Sequence, residues 1–387
     1  MVPTPDSALR ELVARFDPTI PVERASTPPS AWYTDPAVFE LERRAVLGRA
    51  WQPVARLAEL AGPGAYQSGC IVGEPWLLLR GDDDALRAFS NTCRHKGREV
   101  LQGAGTAEAL VCGYHAWTYD LRGRLRSAPR MAGIQGFDRT ALSLPTLPVE
   151  AWGPWAWINA STDAAPLRPR VAALDGLLTA REWERLRFHS RTSWTLACNW
   201  KVYVDNYLDG GYHVPHMHPS LDAQIDMSTY RTELHGEFSV QTVASAAAGP
   251  SARTQVDPGE RIGPGAIYAW IYPNVMLNRY GPCLDSNHVI PLGPERCRVD
   301  YEFYFVDDGQ GSEAARRFVE SSIEQAVITQ REDESICESV QVGLRSRHYD
   351  TGRYAPRVEH GEHHFHRLLA TDLRRAVGLP LPDPAPT

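Results

Sequence analysis

The stretch from Cys93 to His115 limits the possible folds of this chain more than any other. It reads Cys93-Arg94-His95-Lys96-Gly97, then Val111-Cys112-Gly113-Tyr114-His115-Ala116-Trp117. One Cys/His pair is C-x-H and the other C-x2-H, with sixteen residues between His95 and Cys112. Each pair puts a soft thiolate and an imidazole on one tight loop. The fold must then bring two loops to one tip, where they close over a metal centre from opposite sides. The plainer reading is core cysteines and surface histidines, and these spacings beside small and turn residues argue against it.

Two metal centres suit that donor set. Zinc accepts Cys2His2 tetrahedrally, but its fingers place both cysteines before both histidines. A [2Fe-2S] cluster with two Cys on one iron and two His on the other needs the mixed order. Exchanging two thiolates for neutral imidazoles removes negative charge and lifts the potential to roughly −150 to +300 mV. Gly97 and Gly113 are expected to accept positive φ and let the backbone approach inorganic sulfide. At this point the pattern resembles the Rieske-type iron–sulfur motif.

The chain of 387 residues suggests two or three domains. Its 43% apolar and 22% charged residues are ordinary for a globular protein. A net charge of −7 without any Lys/Arg run argues against a nucleic-acid partner. The N-terminus lacks a basic segment followed by an apolar one, and no apolar stretch approaches about 18 residues, so neither a signal peptide nor a membrane span is expected. Seven cysteines at scattered spacing suggest no disulfide framework and a reducing, cytoplasmic setting. The five outside the motif are read as ordinary buried thiols.

Residues 1–40 are expected to be an N-terminal arm that leads into a helix begun by Asp35-Pro36. Residues 41–160 read as an antiparallel β domain. Its strands fall at Ile71-Val72, Trp76 to Leu79 and Ala109 to Tyr119, with a hairpin turn at Asp120 to Gly123. Residues 161–170 read as a linker and 171–387 as a larger domain of helices and strands. The alternation of Cys297, Val299, Tyr301, Phe303 and Phe305 with Arg298, Asp300, Glu302 and Tyr304 predicts a strand with one polar face. Residues 312–347 predict a long helix, with Val319, Ile323 and Val327 on one face and Ile336, Val340 and Leu344 on one face. The apolar stripe breaks around Asp333, which suggests a side chain aimed at something other than solvent. The fold class is α+β.

A second constellation runs from Asn199-Trp200-Lys201 through Asp205-Asn206-Tyr207-Leu208-Asp209-Gly210-Gly211-Tyr212-His213 to His218. His213 and His218 form H-x4-H, and Pro215 prevents a regular helix between them. A helix-to-loop junction there lets both imidazoles converge. Two His and one carboxylate on one face of Fe(II) leave positions open for O2 and substrate. Asp333 is the carboxylate chosen, and His216 competes with His218 on spacing alone. Exposed loop histidines would be the plain reading of this segment if no redox motif stood upstream.

The Rieske motif followed by N-W-K-x4-N-Y, H-x4-H and E-D-x4-E resembles the α subunit of Rieske non-haem iron oxygenases across nearly the whole chain. The resemblance implies an N-terminal antiparallel β Rieske domain and a larger catalytic domain with a curved antiparallel sheet flanked by helices. It assigns Cys93, His95, Cys112 and His115 to a [2Fe-2S] cluster, and His213, His218 and Asp333 to a mononuclear Fe(II). It also implies a carboxylate bridging the two centres between neighbouring subunits of a trimer, usually three residues before the first His. Gly210 occupies that position here, so the bridge falls to Asp209 or, second, to Asp205, and Asn206 completes the candidate catalytic set. Asp209 and His213 are i,i+4 and would share a helix face.

Within the family the chain resembles choline monooxygenases and related betaine demethylases, on Asp205 to His216, Trp270-Ile-Tyr-Pro-Asn274, Asn278-Arg-Tyr280, Ile336 to Gln341 and His363 to Leu368. Tyr212, Trp270, Tyr272 and Tyr280 are then candidates to wall a pocket for a quaternary ammonium by cation–π contact, while packing is the plainer role for any one of them. His360, His363, His364 and His366 are read as a solvated or hydrogen-bonded C-terminal segment. Electrons would come from a separate NAD(P)H-dependent reductase or ferredoxin, because no G-x-G-x-x-G follows a strand. Arg94, Lys96 and Arg98 are candidates to dock it. The activity expected is O2-dependent hydroxylation or oxidative N-demethylation of a small quaternary-ammonium or N-methylated substrate. An aromatic-ring oxygenase is the alternative, separated by a formaldehyde assay against a cis-diol assay. An electron carrier without catalysis is a third class, which the presence of His213, His218 and Asp333 argues against.

Overall fold

Pairs of turn residues, placed where the apolar runs stop, cut residues 47–170 into short strands. The computed structural model describes residues 7–180, 182–246, 262, 265–306 and 312–381. Residues 47–170 form one compact unit, and 1–46 with 171–387 form a second.

In the first unit the strands Ala65–Ile71 and Glu74–Arg80 pair across a turn at Val72 and Gly73, whose φ values are +44° and +96°. The expected strand through Val72 therefore stops one residue short, because the primed turn needs that residue at positive φ. These two strands are the centre of a five-stranded antiparallel sheet with Ala104–Thr106 on one side and Leu86–Ser90 and Thr146–Leu147 on the other. A three-stranded sheet of Leu110–Val111, Thr118–Tyr119 and Leu125–Ser127 carries the second Cys/His loop. The hairpin turn after it closes as expected, Gly123 N–H donating to the Asp120 carbonyl at 2.9 Å. Leu77, Leu79, Phe89, Leu110, Trp117 and Tyr119 pack into one core that includes Cys93 and Cys112.

In the second unit the described residues build a seven-stranded antiparallel sheet. Its order is Leu186–Leu196, Arg296–Val306, Cys283–Gly293, Val275–Tyr280, Gly265–Ile271, Phe238–Ser245, Ile225–Leu234. The helices Trp200–Leu208, Glu313–Leu344 and His360–Ala376 complete its core. Residues 7–46 are not a loose arm. Val13, Phe16, Trp32 and Val38 are buried in this same core, so apolar burial ties the segment down. Asp35 caps the helix Pro36–Ala45, accepting from Ala37 N at 2.8 Å. A helix, Leu167–Thr179, starts inside the predicted linker.

Two strand and helix faces differ from the pattern. The polar face of Arg296–Val306 is not solvated: Asp300 and Tyr304 are buried, because Ser193 (2.7 Å), Arg298 (2.8 Å) and Arg191 all donate to the Asp300 carboxylate. The long helix buries Ser322, Ala326, Gln330, Asp333, Cys337, Gln341 and Leu344. Of the six predicted stripe residues, Leu344 lies on that buried face, Val319, Ile323, Val327 and Ile336 are half-buried beside it, and Val340 is exposed. Gln330 and Asp333 sit on the buried face because Tyr203 and Tyr301 donate to Gln330 Oε1 (both 2.7 Å) and Asn206 donates to Asp333 (2.8 Å). Of the five cysteines outside the motif, Cys198, Cys283, Cys297 and Cys337 are buried and Cys70 is exposed. No described helix is long and apolar enough to cross a membrane.

Candidate active site

The two Cys/His loops are built alike. Cys93 N donates to Arg98 O (2.8 Å) and Gly97 N to Cys93 O (3.0 Å). Cys112 N donates to Trp117 O (2.9 Å) and Ala116 N to Cys112 O (3.0 Å). Each loop turns back through one left-handed residue, Gly97 (φ +75°) and Ala116 (φ +57°). Gly113, expected in that role, is not at positive φ; a Cβ there would meet Nη1 of Arg98 at 2.7 Å. Tyr119 spans the first loop, its hydroxyl 3.4 Å from Cys93 Sγ and accepting from Arg94 N at 3.0 Å.

The residues fit a binuclear cluster. Both thiols are buried, at 3% and 2% exposure, and His95 Nδ1 is a buried ring nitrogen with no hydrogen-bond partner. The rings of His95 and His115 stand 4.6 Å apart, with Trp117 stacked on His95 at 4.9 Å. The described groups of three or more donors gathered within 4.8 Å, as one ion would need, are two others: His213/His218/Asp333 and Asp205/Glu362/His366. Donors spread wider than one ion spans suit two irons, with sulfur on one side and nitrogen on the other.

The mononuclear triad lies in the second unit. Asn199 caps the helix Trp200–Leu208, and Gly210 and Gly211, at φ +72° and +75°, turn the chain out of it. His213 and His218 then flank the one-turn helix Val214–Met217. His213 Nε2, His218 Nε2 and Asp333 Oδ1 are mutually 3.0, 3.1 and 3.7 Å apart. Ligands at right angles on bonds of about 2.1 Å would stand about 3 Å apart, so the triad fits one face of a metal. The outward ring nitrogens are both engaged: His213 Nδ1 with Asp209 Oδ2 (2.5 Å), His218 Nδ1 with Glu332 Oε2 (2.6 Å). Those carboxylates turn each Nε2 lone pair inward. Burial opposes a proton on His218, but Asp333 and Glu332 outweigh it and raise its pKa. Asn206 Nδ2 donates to Asp333 Oδ1 at 2.8 Å and holds that carboxylate in place. His216, the competing histidine, is exposed and outside this group.

Asp209 reaches His213 across the double-glycine turn, not along a helix face. Its Oδ1 accepts from Gly211 N and Tyr212 N, its Oδ2 from His213 N. Asp205 points elsewhere: it accepts from the Tyr33 hydroxyl at 2.8 Å and lies 3.0 Å from His366 Nε2. His366 is fully buried, with Tyr354 on its Nδ1 at 2.7 Å. The C-terminal histidines are thus hydrogen-bonded rather than solvated where His366 is concerned, and His363 is buried with it.

The triad opens into a cavity of about 110 Å³. Of the four aromatic residues expected there, Tyr280 lines it. Trp270 is fully buried in the core, with Nε1 donating to Pro273 O; Tyr272 donates to Asp372; Tyr212 is 57% exposed. Trp270 shares a strand face with the lining residue Tyr268 but stands one step further along, where it packs into the core. Tyr203, Tyr207, Tyr230, Tyr268 and Tyr301 line it instead, with Asp285, Asn278 and Asn287. A signal for part of this set was present: Asn278 and Tyr280 in one strand, and Asp285 and Asn287 in the next, stand two residues apart, which puts each pair on one face. Glu332 stands next to Asp333 in sequence, but no local spacing relates it to His218, 114 residues away.

Residues 50–141 match the Rieske [2Fe-2S] domain family, and residues 183–374 match the ring hydroxylating alpha subunit catalytic domain. The chain belongs to the Rieske non-haem iron oxygenases, oxidoreductases whose α subunits use O2, a small-molecule substrate and an electron-transfer partner. More particularly, it is 40% identical over 382 residues to a chloroplastic choline monooxygenase of Arabidopsis thaliana, covering 95% of this chain and 88% of that one. It is 32% identical over 363 residues to the carnitine monooxygenase oxygenase subunit of Escherichia coli, covering 90% and 94%. The crystal structure of the quaternary ammonium Rieske monooxygenase CntA with L-carnitine superposes with a TM-score of 0.75 at 28% identity, over 94% of this chain and 98% of that one. A naphthalene 1,2-dioxygenase from Rhodococcus, at 18% identity and a TM-score of 0.74, shares the fold. When bound, the [2Fe-2S] cluster supplies single electrons and the mononuclear iron supplies oxygen activation.

Proposed function

We propose that this chain is the terminal oxygenase for a small quaternary-ammonium or N-methylated substrate, acting by O2-dependent hydroxylation or oxidative N-demethylation. The observation that carries the reading is the His213/His218/Asp333 triad opening into a cavity lined by six tyrosines. Ring faces attract a large, weakly hydrated cation that cannot donate a hydrogen bond. The names of the relatives, choline and carnitine monooxygenases, point the same way.

In this reading Cys93, His95, Cys112 and His115 hold the cluster, and His213, His218 and Asp333 hold the iron. Asp209 is the bridging carboxylate, because it touches the iron ligand His213 and Asp205 does not. Asn206 positions Asp333. Arg94, Lys96 and Arg98, exposed or nearly so around the first loop, dock an acidic NAD(P)H-dependent reductase or ferredoxin. The assembly is a homotrimer, since the bridge serves electron transfer between subunits, and the setting is cytoplasmic.

The test is substrate-dependent O2 uptake with a surrogate reductase, across choline, carnitine, glycine betaine, N-methyl amino acids and aromatic acids. The reading expects uptake with one of the quaternary or N-methylated amines, with formaldehyde released if a methyl is lost. Uptake driven by an aromatic acid alone, with a cis-diol formed, would overturn it in favour of ring oxygenation.

A further inference from the structure

A second cavity, of about 220 Å³, lies within the larger unit. Asn206 lines both it and the triad's cavity, but Asp205 and Glu362 line only this one. Glu362 and His366 stand four residues apart on the helix His360–Ala376 and so share a face. Asp205 reaches them from the helix Trp200–Leu208. One donor atom from each of the three lies within 4.8 Å of the other two, as one ion needs. Asp205 Oδ1 and His366 Nε2 are 3.0 Å apart, the same separation as the two imidazole nitrogens of the iron triad. Asp205 Oδ1 is buried and accepts no hydrogen bond. Glu362 is half-buried and makes no hydrogen bond or ion pair to any described residue. Two carboxylate acceptors are thus left without donors beside a space that holds several waters. The charges around Glu362 have its own sign. Burial first, then Asp205, Glu359 and Asp209, push its carboxyl well above the usual range. Carboxylates crowded in this way need a proton or a cation between them.

We propose that Asp205, Glu362 and His366 form a second metal site, which takes a divalent cation of the Mn2+ type with cavity waters completing its coordination. Two carboxylates and water suit such an ion, and a single imidazole is compatible with it. The groups behind the ligands support the assignment. The Tyr354 hydroxyl meets His366 Nδ1 at 2.7 Å, and with the ring proton on that nitrogen the Nε2 lone pair is left for a metal. The Tyr33 hydroxyl donates to Asp205 Oδ2 at 2.8 Å and so orients the carboxylate. The same hydroxyl stands 2.9 Å from His366 Nε2, and that is the contact an ion would replace. The site fastens the helix that leads to His213 onto the C-terminal helix. It is a structural centre, independent of the substrate oxidised at the triad.

The test titrates Mn2+ into the full chain carrying its cluster and its mononuclear iron, with the free ion read from its EPR signal in solution. One equivalent is expected to bind with the iron content unchanged, and the melting temperature should rise with Mn2+ concentration. Glu362→Gln and His366→Gln should each weaken this binding by at least about 100-fold, more than the loss of a merely supporting group costs. Both should keep the cluster's visible spectrum and the mononuclear iron. Glu362 has no described hydrogen bond to lose, so Glu362→Gln decides if His366→Gln does not fold. Asp333→Ala, which removes the proposed third iron ligand, should still take up the equivalent. No Mn2+ bound, binding matched by release of iron, loss of binding in Asp333→Ala, or undiminished binding in Glu362→Gln would each overturn the site. A shared proton would then be what holds these carboxylates together.

Discussion

Asp209 ties four donors to one side chain: the backbone N–H groups of Gly211, Tyr212 and His213, and the Nδ1 of His213. Its carboxylate thus closes the turn and orients the His213 ring at once. Asp209→Asn keeps one acceptor oxygen for the turn but offers an NH2 where His213 needs an acceptor. We expect mononuclear iron affinity or turnover to fall roughly 10- to 100-fold, with the cluster's visible spectrum unchanged. Metal analysis beside absorbance checks this, and full iron with full turnover would contradict it. Asp333→Ala removes the proposed third ligand, so the protein should lose mononuclear iron and keep the cluster. Retained iron and turnover would mean another carboxylate serves.

The helix Trp200–Leu208 and its exits decide where these side chains land. Gly210 lies three residues before His213, where relatives of this fold are expected to carry an acid. A Cβ there would sit 2.2 Å from the Val358 carbonyl oxygen, at φ +72°. No side chain fits, so the acid stands one residue earlier and the turn brings it back. Gly210→Asp should therefore not restore a bridge; it should lower both iron content and thermal stability, and an active, iron-replete variant would refute the packing argument. At the other end, Asn199 is buried and accepts from Lys201 N (3.0 Å) and Lys201 Nζ (2.9 Å). It also donates to Tyr33 O (3.2 Å) and Pro294 O (2.6 Å). Asn199→Ala removes the cap and leaves buried groups unpaired, about 2–4 kcal/mol together. Differential scanning calorimetry should show the catalytic unit melting roughly 4–8 °C lower.

On the scale of the whole molecule, two desolvated histidines are expected to weaken the fold in acid. Burial pushes the imidazoles of His288 and His363 down to about 4. The folded protein then refuses a proton that the unfolded chain accepts below about pH 6.5. Their contribution is complete above that pH and is lost as pH falls from about 6.5 towards 4, on the order of 3 kcal/mol each. Asp300 adds to the loss further down. Burial would raise its pKa, but Ser193, Arg191 and Arg298 outweigh burial and hold it below the usual carboxylate value. Its stabilisation is present above that value and disappears as pH drops through the lowered one. Melting temperatures should decline from pH 7 to pH 5, and His288→Asn should flatten that decline. An unchanged slope would show that His288 is not held neutral in the fold.

What could be read from the chain was what local chemistry fixes. Spacing identified the cluster loops because ligand geometry within one loop depends on a few consecutive residues. H-x4-H identified the two imidazoles for the same reason, and Asp333 stood out because a polar break in a helix is a local anomaly. Period-2 and helical patterns found most elements, yet misjudged two faces, since Asp300 and Gln330 are buried by partners far away in sequence. The cavity was legible only in part. Tyr280 was among the expected residues, while Trp270 and Tyr272 packed into the core, because which tyrosine faces the iron depends on the register of seven strands and on the helices laid against them. Sequence determined the metals and the chemistry they perform; tertiary structure alone decided which carboxylate meets His218 from the long helix and which rings line the cavity, because those contacts join residues far apart in the chain that no local rule relates.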